Sequence, residues 1–138
     1  MNYLLDTCVL SEYKKPRPDG KVMAWLDNTA DDSLFLSVLT IGEIEKGIVR
    51  MPPSKRKTDL EGFVDILLVR FDRRLFDLDA PIMRRWGKLV GTLQTKGRIL
   101  PVIDSLIAAT ALEHNLTIVT RNQDDFEPTG AKVLNLWK

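Results

Sequence analysis

Short apolar runs alternate along the chain with longer segments in which apolar residues recur at helical spacing. Tyr3-Leu4-Leu5 and Leu34 to Val38 are apolar runs typical of buried strands. Leu116 to Thr120 is a third run and is rich in β-branched residues, which favour strands. Two weaker strands are predicted at Phe76 to Asp79 and Val133 to Leu136. The alternation of strands and helices predicts an α/β fold in which helices cover both faces of a parallel sheet.

The segments between these runs predict helices of different lengths. Their approximate bounds are Val9 to Lys14, Val22 to Leu26, Thr40 to Arg50, Ser54 to Phe71, Ala80 to Lys96 and Asp104 to His114. The fourth helix is amphipathic, with a predicted buried stripe of Leu60, Phe63, Val64, Leu67 and Leu68. The fifth has a predicted buried face of Ile82, Trp86, Leu89, Val90 and Leu93, and Gly97 is its predicted C-terminal stop.

Length and composition indicate one ordinary globular domain spanning residues 1–138. The 44% apolar and 28% charged fractions are typical of a chain that buries a core without disulfides. Cys8 is the only cysteine, which excludes an internal disulfide and a cysteine-based zinc cluster. No apolar window approaches the roughly 18 residues that a membrane helix needs. The first residues also lack the features of a secretory signal, so we expect a cytoplasmic protein without a membrane partner.

Basic residues form three local clusters, although the formal net charge is only +1. The clusters are Lys14, Lys15 and Arg17; Lys55, Arg56 and Lys57; and Arg70, Arg73 and Arg74. A cluster of this kind can follow a phosphate backbone. For any single cluster, however, the favoured interpretation is a solvated helix surface.

Polar side chains follow the ends of predicted strands or begin the helices that come next. Asp6 follows the first strand, Glu43 lies near the start of the third helix, and Asp104 begins the sixth. Asn122 and Asp125 follow the β-branched strand. Sites in open α/β sheets lie beyond the carboxyl ends of the strands, where we expect these side chains to meet. Since neighbouring carboxylates repel one another, their convergence predicts a divalent cation between them.

Helical geometry constrains two of these acids differently. Asp104, Ala108 and Ala111 share one helix face, and the two small alanines allow that face to approach the sheet closely. Geometry does not decide between Glu43 and Glu45, because each lies about 100° around the helix from the buried stripe. That stripe is marked by Ile41, Ile44 and Ile48.

Each polar residue also has a purely structural interpretation. Asp6 can form a turn or cap the following helix, and Asp104 is suited to N-capping. Glu43 alone is typical of a solvated helix surface. Asn122 favours a turn, and Asp125 can cap a short helical turn. The functional interpretation therefore depends on the joint pattern rather than on any one residue.

The order and spacing of four motifs resemble those of the PIN-domain nucleases, and more closely those of VapC-type toxins. The motifs are Leu5-Asp6-Thr7 with Val9 to Glu12, Ser37-Val38 through Gly42-Glu43-Ile44 and Gly47, Asp104 to Ala111, and Leu116 to Asn122 with Asp125-Phe126. Together they span nearly the whole chain. The resemblance implies a PIN-like parallel α/β sheet with helices on both faces.

The resemblance also implies roles for individual residues. The family's metal-binding acids match Asp6, Glu43 and Asp104, which selects Glu43 over Glu45. The fourth acidic position matches Asn122 or Asp125, and Asp125 joins the three acids as an expected catalytic residue. The expected supporting residues are Thr7, Thr120 and Asn122. The chain departs from the family at Cys8, where Asn is usual.

The function implied by the resemblance is that of a Mg²⁺- or Mn²⁺-dependent endoribonuclease that cleaves cellular RNA and slows translation. Family members usually form homodimers and are restrained by a cognate antitoxin. The expected partners are therefore an RNA substrate, an antitoxin and a second copy of this chain. Together with the antitoxin, the chain is expected to form a hetero-oligomer. The residues expected to line the antitoxin groove are Trp25, Leu26, Ile48 and Met51, of which Trp25 and Leu26 fit the core better.

Other functions fit the sequence less well. An aspartate-nucleophile phosphatase requires a second Asp two residues after the first, where this chain has Cys8. A receiver-type phosphorylation switch requires an early pair of acids that the chain lacks. The main alternative is a PIN-like module that binds RNA or protein with weakened catalysis, because Asn122 is an amide.

Overall fold

Five short strands form one parallel sheet in the computed structural model, which describes residues 1–138. The strands are β1 (Tyr3–Leu5), β2 (Leu34–Ser37), β3 (Leu75–Phe76), β4 (Thr117–Val119) and β5 (Val133–Leu134). Their order across the sheet is β3-β2-β1-β4-β5, and every neighbouring pair is parallel. The predicted fold class is therefore confirmed. Because β1 is central, the residues that follow it lie in the middle of the sheet's carboxyl edge.

Seven α-helices connect or follow the strands, and each predicted helix is present. They are α1 (Thr7–Glu12), α2 (Gly20–Asn28), α3 (Val38–Val49), α4 (Lys55–Arg70), α5 (Ala80–Thr95), α6 (Val102–His114) and α7 (Gln123–Phe126). Two short 3₁₀ turns lie at Asp31–Ser33 and Glu127–Thr129. None of the helices combines the length and the apolar character needed to cross a membrane.

Polar side chains and one glycine explain where several elements begin and end. Ser37 ends β2 and caps α3 by accepting a backbone N–H of its first turn at 3.1 Å. The strand predicted at Phe76 to Asp79 stops at Phe76, because Asp79 instead caps α5 through a 3.1 Å hydrogen bond. Gly97 follows the end of α5, as predicted, with a φ of +76° that glycine adopts without strain.

Apolar side chains fill both faces of the sheet, which explains the two helical layers. The larger buried cluster consists of Leu5, Val9, Leu10, Val22, Leu26, Leu34, Leu36, Leu67, Phe71 and Val119. The smaller cluster consists of Leu4, Ile107, Ala108, Ala111, Leu116, Ile118 and Phe126. Along α4, Leu67 is buried as predicted, but Leu68 is 40% exposed, so its predicted place in the buried stripe is wrong.

Two arginines of the third basic cluster hold the fold together. The Arg74 guanidinium donates to the backbone carbonyls of Asp31, Leu34 and Arg70. Arg70 also forms an ion pair with Asp31 at 2.8 Å. These contacts join the end of α4 to the turn before β2. Because their guanidinium groups bond to protein acceptors, the predicted solvated helix surface is wrong for Arg70 and Arg74.

The small residues of α6 let this helix pack closely on the sheet. Ala108 and Ala111 are 0% and 1% exposed and lie in one cluster with Leu4 and Ile118 of the neighbouring central strands. The helix begins at Val102, two residues before its predicted start. The close packing fixes the first turn of α6 relative to the strand ends.

Enlarging this small face should force α6 away from the sheet. Ala108→Leu adds bulk at a fully buried position and should cost about 1–3 kcal/mol of stability, measured by urea unfolding. Ala24→Leu, at an exposed position of α2, is the matched control and should change stability by less than about 0.5 kcal/mol. Equal losses in the two variants would contradict the close packing of α6.

Candidate active site

Asp6 lies at the carboxyl end of the central strand, where it also begins the next helix. One carboxylate oxygen accepts the Thr7 N–H at 2.9 Å and thereby caps α1. The other oxygen accepts the Thr120 hydroxyl at 2.8 Å. The residue is only 8% exposed. Asp6 therefore has the predicted capping role and, at the same time, a fixed position at the sheet edge.

Thr120 follows β4 and joins several parts of the site. Besides donating to Asp6, its hydroxyl oxygen accepts the Asn122 N–H at 3.0 Å. The same oxygen lies 3.7 Å from the sulfur of Cys8. Because Thr120 is fully buried, its hydroxyl has no competing water. These contacts let Thr120 orient one oxygen of Asp6.

Cys8 stands where the resemblance leads us to expect Asn. Its sulfur accepts the backbone N–H of Arg121 at 3.4 Å. Burial raises the pKa of the thiol above its ordinary value, so the side chain stays uncharged at neutral pH. A neutral sulfur thus provides the contact between α1 and the segment that follows β4.

Glu43 comes from the second turn of α3 and is half-buried, with its side chain 32% exposed. Its carboxylate lies 3.8 Å from the Lys46 ammonium, a partly exposed ion pair of small energetic value. The competing residue Glu45 is exposed. Only Glu43 of the two acts on Asp104 through its charge. Of the two residues, Glu43 is therefore the one that belongs to the electrostatic neighbourhood of Asp104.

Asp104 and Asp125 are contributed by two further helices. Asp104 lies inside the first turn of α6, which follows Pro101, so its predicted N-capping role is wrong. Asp125 is exposed and lies within α7, so the predicted capping of that turn is also wrong. Asn122 does form the turn before α7, where its carbonyl accepts the Asp125 N–H at 3.1 Å. Neither acid is thus needed as a helix cap.

The main electrostatic feature of the site is the pKa of Asp104, which is raised from 3.8 to about 6. Burial contributes most, followed by the negative charges of Asp6, Asp125 and Glu43 in that order. These charges act only over short distances in the protein. The four acids, carried by four separate segments, therefore share one electrostatic neighbourhood.

The acids of this neighbourhood fit a divalent cation by their chemistry. No three His, Cys, Asp or Glu side chains of the chain converge into a compact metal-binding group. Mg²⁺ does not require such a group, because it usually keeps several waters and binds one or two carboxylates together with substrate phosphates. Carboxylate oxygens are also the donors that suit Mg²⁺ and Mn²⁺. Asp6, Glu43 and Asp104 would offer carboxylate oxygens to such an ion, with waters completing its coordination.

A groove of about 270 Å³ borders Glu43 and Thr7 between α1, α3 and α4. Ile48 and Met51 line it, but Trp25 and Leu26 do not, so the predicted place of these two residues in a groove is wrong. Leu26 is 4% exposed and belongs to the larger core cluster. Trp25 packs edge-on against Tyr3, with ring centres 4.8 Å apart. Both therefore follow the alternative core interpretation.

Sequence reasoning missed the basic rim of this groove. Lys14 and Arg56 belong to different basic clusters, yet both line the groove. The Arg56 guanidinium donates to the Lys14 carbonyl at 3.3 Å, and the Lys14 ammonium lies 5.1 Å from the centre of the Phe63 ring. The clusters are visible in the sequence, but no local pattern shows that segments 42 residues apart meet beside Glu43.

Known proteins resemble this chain over nearly its whole length. The PIN domain model matches residues 3–132. VapC ribonuclease Y4jK of Sinorhizobium fredii is 38% identical over 140 residues, covering 98% of this chain and 97% of that protein. Toxin FitB of Neisseria gonorrhoeae is 33% identical over 135 residues, covering 97% of each. The crystal structure of FitAcB from Neisseria gonorrhoeae has a TM-score of 0.90 at 32% identity and covers 98% of both chains.

Replacing Asp104 with Asn should stabilise the metal-free protein at neutral pH. The folded pKa of about 6 exceeds the ordinary value of 3.8, so the folded state holds this proton more tightly. The resulting stabilisation is present at low pH and is lost as the pH rises between these two values. Allowing for solvent screening, Asp104→Asn should gain about 1 kcal/mol at pH 7.

The measurement is the melting temperature in EDTA at about pH 4 and pH 7. The gain of Asp104→Asn should be small at the lower pH and larger at the higher one. Asp27→Asn, which removes an exposed carboxylate from α2, is the matched control and should show no such pH dependence. An equal gain for Asp104→Asn at both pH values would contradict the raised pKa of Asp104.

Proposed function

We propose that this chain is a Mg²⁺- or Mn²⁺-dependent endoribonuclease that acts on cellular RNA. The chain belongs to the PIN-domain family and, within it, to the VapC-type ribonuclease toxins. The observation that carries the proposal is the convergence of three further carboxylates on the half-buried Asp104, whose charges add to burial in raising the pKa of Asp104. Repulsion among the carboxylates of such a cluster opposes folding unless a positively charged ligand neutralises it. An acidic site that holds a divalent ion is an arrangement that can catalyse phosphodiester hydrolysis.

Asp6, Glu43 and Asp104 are the proposed ligands, either directly or through water. A bound divalent ion supplies charge neutralisation at the phosphate and a more acidic water. The chain itself fixes Asp6, because the Thr7 N–H and the Thr120 hydroxyl hold its two oxygens. We assign to Asp125, or to the neighbouring Asn122, the orientation of the attacking water.

A protein antitoxin is the proposed partner, in keeping with relatives named as toxins and solved in complexes. Its proposed docking position is the groove beside Glu43, where Ile48 and Met51 contribute an apolar surface. A peptide segment lying there would obstruct the approach of RNA to the acids. We also propose a homodimer, which becomes a hetero-oligomer when the antitoxin binds. Because the proposed substrate is cellular RNA, the proposed place of action is the cytoplasm.

A PIN-like binding module with weakened catalysis is the competing proposal, because Asn122 brings no charge to the site. The position of Asp125 favours the enzyme, since its carboxylate is close enough to contribute to the raised pKa of Asp104. Asp125 can therefore supply the charge that Asn122 lacks. Metal-dependent cleavage of a mixed RNA pool distinguishes the two proposals.

Millimolar Mg²⁺ or Mn²⁺ should raise the melting temperature of the protein. An ion that binds only the folded state stabilises it by about 2.7 kcal/mol when its concentration is 100 times the Kd. Asp6→Asn should diminish this shift, because it removes a charged ligand. NaCl of equal ionic strength controls for general screening. A thermal melt that neither ion alters would count against the proposed metal site.

Asp6→Asn should abolish metal-dependent cleavage of a mixed RNA pool while leaving helix content unchanged. The amide retains the size of the carboxylate and removes its negative charge. Asp27→Asn, the exposed carboxylate of α2, should cleave like the wild type. Cleavage is followed by gel analysis of labelled RNA with added Mg²⁺, Mn²⁺ or EDTA. If Asp6→Asn retains full activity, the assignment of this residue is wrong.

A further inference from the structure

The segment between β4 and α7 carries both Asn122 and Asp125. Asp125 is exposed and belongs to a helix of only four residues, so that helix alone does not fix its position. At the far end, Phe126 is fully buried in the smaller core cluster and anchors the segment. The position of Asp125 therefore also depends on what holds the near end, at Arg121.

Arg121 is contacted through both its backbone and its side chain. Its backbone N–H donates to the Cys8 sulfur at 3.4 Å, and its carbonyl accepts the Asn135 side-chain amide at 3.4 Å. Its guanidinium lies 5.2 Å from the centre of the Trp137 ring, within the range of a cation–π interaction. Asn135 in turn accepts the Trp137 backbone N–H at 3.0 Å. The last residues of the chain thus form a small unit around Arg121.

Trp137 is itself held from the opposite side by α1. Its ring packs against the larger core cluster, and its buried indole N–H makes no hydrogen bond of good geometry. The Trp137 indole also lies near Glu12 of α1, which is 1% exposed. Burial raises the pKa of Glu12, but the Asp19 N–H, Lys15 and, least of all, the Trp137 indole lower it by more. Trp137 therefore fills the space between α1 and Arg121.

We propose that Trp137 is a positioning residue, whose ring holds Arg121 and thereby fixes the segment that places Asp125 among the other acids. The inference rests on the proposed nuclease function and deepens it. Trp137 acts on the site through Arg121, whose backbone N–H donates to the Cys8 sulfur. Since small displacements of a group that orients a reactant cost a large part of the rate, loosening Arg121 should slow turnover.

Trp137→Ala should lower kcat for RNA cleavage about tenfold and leave KM for the RNA nearly unchanged, because it displaces a reacting group and not the binding surface. Trp137→Phe retains a ring beneath Arg121 and should keep kcat within about twofold of the wild type. Rescue by this conservative variant distinguishes positioning from a general loss of stability.

Arg121→Ala removes the other partner of the same contact. Because the Arg121 side chain is exposed, its truncation should not prevent folding, so this variant tests the contact even if Trp137→Ala fails to fold. It should reproduce the fall in kcat, and Arg121→Lys should restore most of it. The double variant of Arg121→Ala and Trp137→Ala should have a kcat no lower than that of the slower single variant. Each substitution already removes the same interaction between the two side chains.

Trp25→Ala is the matched control, since Trp25 is a half-buried indole packed on Tyr3 at the opposite end of β1. Its kcat, corrected for the folded fraction, should equal that of the wild type. The positioning role is overturned if Trp137→Ala and Arg121→Ala keep the kcat of the wild type. It is also overturned if the kcat of Trp25→Ala falls as far as that of Trp137→Ala. If the wild type cleaves RNA and Asp6→Asn does not, such a result overturns only the role of Trp137 and leaves the proposed nuclease function standing. If the wild type does not cleave RNA, both proposals are overturned.

Discussion

The hydrogen bond between Asp6 and Thr120 organises the acidic site. The two residues are 114 positions apart and meet because β1 and β4 are parallel neighbours in the sheet. The bond orients a buried carboxylate whose charge contributes to the raised pKa of Asp104. Charges of one sign oppose this arrangement, so the surrounding fold must supply the free energy that keeps them together. The site therefore depends on strand pairing more than on any local sequence feature.

Most of the fold could be predicted because its signals are local. Apolar runs located all five strands, and the small residues Ala108 and Ala111 indicated the close packing of α6. Apart from Leu68 in the predicted buried stripe of α4, the errors lie at the ends of elements. Asp79 caps α5 and so shortens the strand at Phe76, and the earlier start of α6 places Asp104 inside its first turn.

The site could be predicted only in part, because contacts between remote segments leave no local signal. Helical geometry left Glu43 and Glu45 equivalent, the family resemblance favoured Glu43, and of the two only Glu43 acts on Asp104 through its charge. The same limit hides the meeting of Lys14 with Arg56 at the groove rim. The contact between Trp137 and Arg121 could not be predicted either, because no local pattern links the segment of Trp137 to the segment between β4 and α7.

The separation of β1 and β4 along the chain determines how the site forms during folding. Asp6 and Thr120 are 114 positions apart, so their hydrogen bond closes a long loop. Contacts between segments so far apart in sequence form slowly during folding. The acids therefore come together only after β1 and β4 have paired, and a partly folded chain without that pairing has no acidic site.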